Sequence, residues 1–407
     1  MTNKLKIIND PIYGFITIPN TLLFDIIEHP YFQRLRRISQ MGLSNMVYPG
    51  AHHTRFHHAI GCMYLMQNAV RVLRSKEVEI SEQEEQALYI AILLHDLGHG
   101  PFSHALEHFF ISDLTHEDLS LHFMQMLNKE FSGQLTEAIE IFTNKHPKKF
   151  FFQLISSQLD MDRLDYLKRD SFYTGVVEGS INSDRLIAML NVKDDQLVIE
   201  HKGIYSIEKF LLSRRFMYWQ VYFHKTGLLA EKILLKTLER ARELIQDGIS
   251  VVATKNLTYF LKTNRFENVD VEQLVNNFSR LDDYDVWAAI KEWQDHDDFI
   301  LAKLATMIVK RNFLKIELTN TPISSDYLKK IKEKTLKAKG LNPSNLHYFM
   351  FQGKVTNRAY NTEYGAIKVL LKSGEVKEWL EVDPQFNTTA ITKPMHKYFV
   401  AYPKASF

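Results

Sequence analysis

Histidine and carboxylate side chains are concentrated between residues 52 and 170 of the 407-residue chain, and their spacing suggests metal chemistry. His95 and Asp96 are adjacent in the run His95-Asp96-Leu97-Gly98-His99-Gly100-Pro101-Phe102-Ser103-His104. Neighbouring side chains on a helix diverge by about 100°, so this pair converges on one ion only where the helix ends. Imidazole and carboxylate together suit a borderline divalent metal, and two further ligands must come from elsewhere.

His58 and Asp162 are the candidates for those two ligands, and each begins an apolar helical stretch. Each also has an ordinary alternative, because His58 could cap its helix and Asp162 could be an N-cap residue. Two histidines and two carboxylates would leave octahedral coordination positions of the metal ion open for water and a phosphate oxygen. A bound cation offsets phosphate charge and lowers the pKa of a coordinated water, so the pattern indicates phosphate hydrolysis.

Acid–base and anion-binding groups lie nearby in the sequence. His99, His104 and His116 are candidate acids or bases; Glu107, one turn beyond His104, and Glu117 could orient them. Guanidinium groups suit phosphate oxygens, although single cations are usually solvated. The cationic candidates are Arg55, Arg163, Lys168, Arg169, Arg214, Arg215 and Lys225. The aromatic run 216–223 could hold a base or sugar, although such stripes are more often core.

The composition of the chain excludes several kinds of site and makes several partners unexpected. Hydrophobic residues make up 45% of the chain and the formal charge is +2, so any anion site must be local and nucleic acid is an unexpected partner. The single cysteine, Cys62, excludes an internal disulfide and is predicted to be a small core residue. With no signal peptide and no apolar run of about 18 residues, we expect a cytoplasmic protein without membrane contact.

The element pattern predicts a mainly α protein: a helical domain over residues 1–312 and a small α+β region over 313–407. Ser81 and Glu84 predict a capping box at the start of a helix that runs to His95-Asp96 and is ended by Gly98 and Gly100. Residues 195–206 predict a hairpin around His201-Lys202-Gly203, and 207–246 predict one long helix. Strand-like runs follow at 314–318, 347–352, 366–371 and 397–402, with a Lys-rich helix at 325–338.

These residues resemble the HD superfamily, and more closely its deoxynucleoside triphosphate triphosphohydrolases, which include bacterial dGTP triphosphohydrolase-like enzymes and the animal sterile-alpha-motif/HD enzyme. The resemblance runs from Asn9 to about Lys225. Its motifs are Asn9-Asp10-Pro11-Ile12-Tyr13-Gly14, Phe32-Gln33-Arg34-Leu35-Arg36, Tyr48-Pro49-Gly50-Ala51, Arg55-Phe56-x-His58, the His95–His104 run, Thr115-His116-Glu117 and Asp162-x-x-Asp165-Tyr166-x-x-Arg169-Asp170. It implies an HD-type helical core and release of a deoxynucleoside and inorganic triphosphate.

The resemblance also implies residue roles. His58, His95, Asp96 and Asp162 would hold one divalent metal ion (Fe, Mn, Ni, Zn, Co or Mg). Catalysis and phosphate contact would fall to His99, His104 and His116, with Glu107 beside them. The phosphates would meet Arg55, Arg163, Tyr166 and Arg214, and the sugar and base would meet Gln40, Asp170 and Tyr222. A tyrosine packed against C2′ would explain rejection of ribose.

Some positions depart from the family pattern. Glu107 stands where the animal enzyme has Asp, Arg163 replaces Lys and Met41 replaces Leu. Glu28, Gln33 and Arg36 weakly resemble that enzyme's activating guanine-nucleotide site, with Glu28 in place of Asp and Ile7 in place of a basic residue. The resemblance therefore implies a homo-oligomer, dimer or tetramer, and suggests a nucleotide activator as a hypothesis.

Two other functions remain open. The chain could be an HD phosphohydrolase of a nucleoside monophosphate or cyclic nucleotide, or a nucleotide-sensing oligomer with little turnover. The arginine set with Tyr166 and Asp170 favours the triphosphate, and a full ligand set with three further histidines favours turnover.

Overall fold

The apolar spacing of the sequence produces a mainly helical protein, as predicted. The computed structural model describes residues 6–263, 265–266, 269–337, 343–360, 365–382 and 389–404. Its helices are α1 (Thr21–Glu28), α2 (Pro30–Gln33), α3 (Arg55–Ser75), α4 (Glu82–Leu94), α5 (Glu107–Phe110), α6 (His116–Glu130), α7 (Thr136–Phe142), α8 (Lys149–Ile155), α9 (Met161–Thr174), α10 (Ser183–Ala188), α11 (Ile204–Met217), α12 (Lys225–Gln246), α13 (Lys255–Lys262), α14 (Val271–Phe278), α15 (Asp283–Trp293), α16 (Phe299–Val309), α17 (Ser325–Leu336), α18 (Leu346–Phe349), α19 (Trp379–Val382) and α20 (Thr389–Thr392).

Nine strands among the described residues form three small sheets. The strands are β1 (Lys6–Asp10), β2 (Gly14–Ile18), β3 (Leu190–Lys193), β4 (Gln196–Glu200), β5 (Lys315–Thr319), β6 (Phe351–Asn357), β7 (Lys368–Leu370), β8 (Val376–Glu378) and β9 (Met395–Tyr402). β1 and β2 form a hairpin, and β5-β9-β6 form an antiparallel sheet. The third sheet has the order β3-β4-β7-β8, and its β4–β7 pair is parallel.

Helices α3, α4 and α9 form the centre that carries the site. The predicted capping box starts α4: Ser81 Oγ accepts from Glu84 N, and Ser81 N donates to the Glu84 carboxylate. All residues from Ala87 to Leu94 are buried, so the second half of α4 is apolar on every face and lies inside the protein, whereas its first turns are polar. α3 packs against both α4 and α9.

Gly61 allows α9 to approach α3 closely. A Cβ atom at Gly61 would lie 2.1 Å from Asp165 Oδ1 and 2.2 Å from Arg169 Nη2, which is too close for any side chain. The glycine therefore lets the Asp165–Arg169 pair reach the surface of α3 where His58 lies.

Several predicted element bounds are wrong. The hairpin is β3–β4, with its turn at Asp194-Asp195, and residues 201–203 are a 3₁₀ turn that leads into α11. The predicted long helix is two helices, because a π-helical segment at Tyr218–Tyr222 separates α11 from α12. α4 ends with His95 as its C-cap, as predicted, but neither Gly98 nor Gly100 caps it. The first half of the run at 347–352 belongs to the short helix α18, and β6 begins within the run at Phe351.

The division of the chain at residue 313 stays a prediction. β7 of the C-terminal region extends the sheet begun by the β3–β4 hairpin, and Tyr348 and Trp379 pack into the main core. No helix among the described residues is long and apolar enough to cross a membrane.

Candidate active site

His58 lies in the first turn of α3 with one ring nitrogen already occupied. Thr54 caps this helix together with His57, so the alternative that His58 is the cap is wrong. The His58 Nδ1–H donates to Asp165 Oδ2 at 2.8 Å. Nε2 is left facing Asp162 Oδ1 at 3.1 Å and Asp96 Oδ2 at 3.5 Å. A carboxylate behind Nδ1 is the usual support of a metal-binding imidazole.

His95 presents an unpartnered nitrogen to the same point. It is the C-cap of α4, and its Nδ1–H donates to the Ile92 carbonyl at 2.6 Å. Its Nε2 is buried without a hydrogen-bond partner in the described part of the chain, 3.5 Å from Asp96 Oδ1 and 3.7 Å from Asp162 Oδ1. Buried polar atoms are nearly always hydrogen-bonded, so this nitrogen among carboxylates fits a metal ligand.

Asp162 is free to join this group because a neighbouring residue caps α9. Asp160 accepts from the Arg163 backbone N–H at 2.7 Å, so Asp162 is not the N-cap. Burial would raise the pKa of Asp162, but His58 and His95 hold it below its usual range. The pKa of Asp96 is likewise lowered, against burial, mainly by Arg55 and His95. The two imidazoles and two ionised carboxylates are a suitable donor set for a divalent ion.

Cys62 is the remaining soft donor beside the cluster. Its Sγ lies 3.5 Å from His58 Nδ1, and the residue is fully buried, as predicted for a core position. Burial raises the pKa of the thiol. Its sulfur nevertheless lies within the group of donor atoms formed by His58, His95 and Asp162, so a bound ion would have Cys62 as a neighbour.

Asp165→Asn tests how strongly the support of His58 matters. Asp165 has a pKa near 2, because Arg169 and His58 outweigh its burial, so it supplies a full negative charge. We expect the substitution to weaken Mn²⁺ affinity about 10–100-fold, because the His58 ring loses its charged acceptor. Calorimetric titration of metal-free protein with Mn²⁺ measures this.

Asp10→Asn is the matched control. Asp10 forms the other ion pair of Arg169, at 2.8 Å, without touching His58. Equal loss of Mn²⁺ affinity in both variants would mean that the Arg169 pairs act through folding, and that Asp165 has no special role.

Three histidines and Glu107 form a second cluster beside the first. The Nδ1 atoms of His104 and His116 both contact the Glu107 carboxylate, at 3.0 Å for His104 and in a shorter contact for His116. His99 stacks on His116 with ring centroids 4.0 Å apart, and His99 Nε2 lies 3.3 Å from Asp96 Oδ1. Burial, then Arg55, lowers the pKa of His99, whereas the pKa of His116 is raised despite burial, mainly by Glu107. The cluster therefore combines a neutral and a readily protonated imidazole.

The loop that joins the two clusters is held by close packing and strained backbone. A Cβ at Gly98 would lie 2.1 Å from the His116 carbonyl, so glycine lets α6 bring His116 close. Phe102 and Ser103 both have φ near +55°, which costs a non-glycine residue of order 1 kcal/mol. Asp283 accepts from Phe102 N, and Ser103 Oγ accepts from Arg55 Nε, which offsets this cost.

A cavity of about 570 Å³ connects the clusters with most of the predicted substrate residues. Of the predicted substrate residues, Gln40, Arg55, Arg163, Tyr166, Asp170 and Tyr222 line it. Arg163 Nε is buried and has no hydrogen-bond partner among the residues that the structure describes. Arg214 is not among the lining residues; it is buried and donates to Gln158 Oε1 at 3.3 Å. Lys168, Arg169, Arg215 and Lys225 do not line the cavity either, and Arg169 is a structural ion-pair partner.

The carboxylate of Asp170 is fixed by two protein donors. Tyr222 OH donates to Oδ2 at 2.7 Å, and His53 Nε2 donates to Oδ1 at 2.7 Å. His53 is buried and stacks on Tyr173 at 4.4 Å. The remaining lone pairs of Asp170 can accept from a ligand hydroxyl.

Sequence reasoning missed the roles of His53, Asp165 and Glu231, and it named Tyr218 only within the aromatic run 216–223. Asp165 carried a signal, because it lies one turn after Asp162 on the same helix face. His53 and the cavity-lining Glu231 have partners or neighbours far away in sequence, and no local spacing indicates them.

Glu28, Gln33 and Arg36 lie together on the surface near α1 and α2. Arg36 Nε donates to Gln33 Oε1 at 2.8 Å, and the Arg36 guanidinium stacks on Phe56 at 3.5 Å. Glu28 is close enough to act on the pKa of Arg36, which is lowered mainly by burial.

Comparisons with known proteins agree with this geometry. Residues 55–170 match the HD domain, and residues 181–258 match an HD associated region. An uncharacterised protein of Bacillus subtilis, YwfO, is 32% identical over 92% of this chain and 86% of its own length. A crystal structure of a phosphohydrolase from Bacteroides thetaiotaomicron is 46% identical, with a TM-score of 0.94, over 98% of this chain and all of that chain.

Some of the relatives are named for an activity. The deoxynucleoside triphosphate triphosphohydrolase SAMHD1 homolog of Dictyostelium discoideum is 33% identical over 59% of this chain. The matched region covers 50% of the length of that protein.

Proposed function

Because this chain belongs to the HD superfamily of phosphohydrolases, we propose that it hydrolyses deoxynucleoside triphosphates to a deoxynucleoside and inorganic triphosphate. The observation that carries the proposal is the continuity of one cavity. It joins the His/Asp cluster and two arginines to the fixed carboxylate of Asp170 and its tyrosine. Its volume of about 570 Å³ is in the range of small-molecule sites.

The phosphate end of the cavity is cationic. Arg55 and Arg163 face it, and the unpartnered Nε of Arg163 is available to a phosphate oxygen. His58, His95, Asp96 and Asp162 would hold one divalent ion, which supplies charge neutralisation and an activated water when bound.

Proton transfer falls to the Glu107 cluster. Hydrolysis breaks the bond between the α-phosphorus and O5′, and O5′ must gain a proton to leave as a hydroxyl. Glu107 fixes the Nδ1 atoms of His104 and His116, which leaves the Nε2 of His104 for the substrate. The Nε2 of His116 lies 3.3 Å from the exposed Glu117 carboxylate, which a substrate would have to displace. A protonated imidazole there would donate to O5′ or contact a phosphate oxygen.

The nucleoside end of the cavity would recognise the sugar. Asp170, held by Tyr222 and His53, would accept from the 3′-hydroxyl, and the Tyr222 ring would leave no room for a 2′-hydroxyl. Gln40 lines the same end, and its buried Oε1 has no partner.

The test is product analysis with metal-reconstituted protein. We would supply Mn²⁺, then Ni²⁺, Fe²⁺ and Mg²⁺, with each dNTP alone and in mixtures, beside GTP and dGMP. The expected products are deoxynucleoside and triphosphate, with GTP turned over at least about tenfold more slowly. Asp96→Ala is the blank, and Asp184→Ala, at an exposed position in the first turn of α10, is the matched control.

Other outcomes would assign other functions. Turnover of dGMP without dNTP turnover would identify a monophosphatase. Tight dNTP binding without turnover under any metal or mixture would identify a sensor and overturn the catalytic assignment.

Nucleotide activation is a further part of the proposal. Glu28, Gln33 and Arg36 present a carboxylate, an amide and a stacked guanidinium, which together could bind a guanine nucleotide on an oligomer. A dNTP that is hydrolysed only when a second nucleotide is added would support this site. If the size-exclusion elution volume of the protein stays the same across a dGTP titration, the proposed activating site is ruled out.

A further inference from the structure

Glu231 is a carboxyl group in the cavity that the proposed reaction does not use. It lies in the second turn of α12 and lines the cavity with Gln40, Met41 and Gly42. Its Oε1 lies against the backbone of Gly42, where a Cβ would be 3.1 Å away. Among the residues the structure describes, it forms no hydrogen bond or ion pair, whereas Asp96, Asp162, Asp170 and Glu117 all have partners.

Glu231 Oε1 enters the cavity over Gly42, beside the Phe102 carbonyl and the Ala105 side chain, and it lines the cavity together with Gln40 of the proposed sugar site. Burial raises its pKa to about 7, and the charged group that opposes this is Lys232, which does not line the cavity. A carboxyl group beside Arg55 or Arg163 would have its pKa lowered, as Asp96 has. A carboxylate close to a triphosphate would also repel it.

The surfaces near this end suit a flat, apolar group. Tyr218, Tyr222 and Phe223 line the cavity, with ring centroids 5.1 Å apart for Tyr218–Tyr222 and 5.6 Å for Tyr218–Phe223. Aromatic side chains stack on nucleobases without distinguishing them, so selectivity requires a polar group. Glu231 is such a group, and it has no protein partner to displace.

We propose that Glu231 is a specificity-determining residue that accepts hydrogen bonds from the edge of the nucleobase. The inference rests on the proposed nucleotide substrate. A carboxylate has two acceptor oxygens, and guanine offers two adjacent donors, N1–H and the 2-amino group. Adenine and cytosine offer one amino donor beside an acceptor nitrogen. Thymine flanks its single N–H with two carbonyls, which a carboxylate repels. The expected order of kcat/KM is dGTP first, dATP and dCTP next, and dTTP last.

Glu231→Gln keeps the size of the side chain and removes the charge. In the holoenzyme we expect kcat/KM for dGTP to fall about 10–100-fold, because a charged hydrogen-bond pair is lost, and that for dTTP to change less than about threefold. dITP, which lacks the 2-amino group, isolates one donor: the wild type should favour dGTP over dITP and the variant should not. Glu239→Gln, the same change two turns along α12 at a residue paired with Lys236, should leave the profile unchanged.

Each outcome of these measurements supports or overturns the proposed role of Glu231. If Glu231→Gln lowers kcat/KM equally for all four dNTPs, or if the wild type favours dTTP, the role of Glu231 is overturned. The proposal of dNTP hydrolysis is then unaffected. A wild type that hydrolyses no dNTP overturns both proposals. A melting temperature of Glu231→Gln close to that of Glu239→Gln excludes a general folding effect.

Discussion

Glu107→Gln is expected to lower kcat by roughly 10²-fold and to move the alkaline fall of the rate to lower pH. Burial disfavours a charged His116 ring, but the hydrogen bond to Glu107 outweighs it, with help from Asp96 and Glu117, and raises the pKa of His116. The protonated ring is therefore present below this raised pKa and is lost as the pH rises through it. An amide at 107 removes the main support, so the same loss occurs at lower pH.

The pH profile of kcat, measured with saturating dNTP and metal, tests this expectation. Glu117→Gln is the matched control, because Glu117 lies 3.3 Å from His116 Nε2 but its side chain is 62% exposed, so solvent screens it. Its profile should stay close to that of the wild type. If Glu107→Gln lowers kcat without moving the alkaline limb, Glu107 orients the ring but does not hold its proton.

Local sequence patterns were sufficient to predict the parts of the site that short-range physics determines. A helix that ends beside His95 lets adjacent side chains converge, and the Ser81–Glu84 pair starts that helix. Asp160, two residues before Asp162, caps the start of α9, and this leaves the Asp162 carboxylate free to join the site. The same residues gave the resemblance to the HD superfamily, which the HD-domain match confirms.

Long-range packing decided what the sequence did not show. The π-helical segment at Tyr218–Tyr222 preserves helical apolar spacing, so periodicity alone joined α11 and α12 into one helix. Arg214 carries the right charge, but it donates to Gln158 and does not line the cavity. His53 and Asp170 are 117 residues apart, and their contact exists only once α9 packs against the loop before α3.

Arg34 shows how such a distant contact supports the site, and Arg34→Met is expected to lower the free energy of unfolding by about 3–5 kcal/mol. Arg34 is fully buried, and burial lowers its pKa to about 9. It donates to three backbone carbonyls, those of Leu281, Leu97 and His99, at 2.9, 3.2 and 2.7 Å. Methionine fills a similar volume but leaves all three acceptors unsatisfied. Urea unfolding measured at equilibrium gives the value.

Arg37→Met provides the matched control, because the Arg37 side chain is 43% exposed, although its partner Asp282 is only 9% exposed. Its loss should cost less than that of Arg34, because solvent reaches the Arg37 guanidinium and Asp282 keeps the Tyr284 backbone N–H as a donor. Two of the carbonyls held by Arg34 belong to the segment that carries His95, Asp96 and His99. We therefore expect folded Arg34→Met protein to bind Mn²⁺ more weakly than Arg37→Met does, even at temperatures where both are fully folded. Equal Mn²⁺ affinity would show that Arg34 stabilises the fold without positioning the ligands.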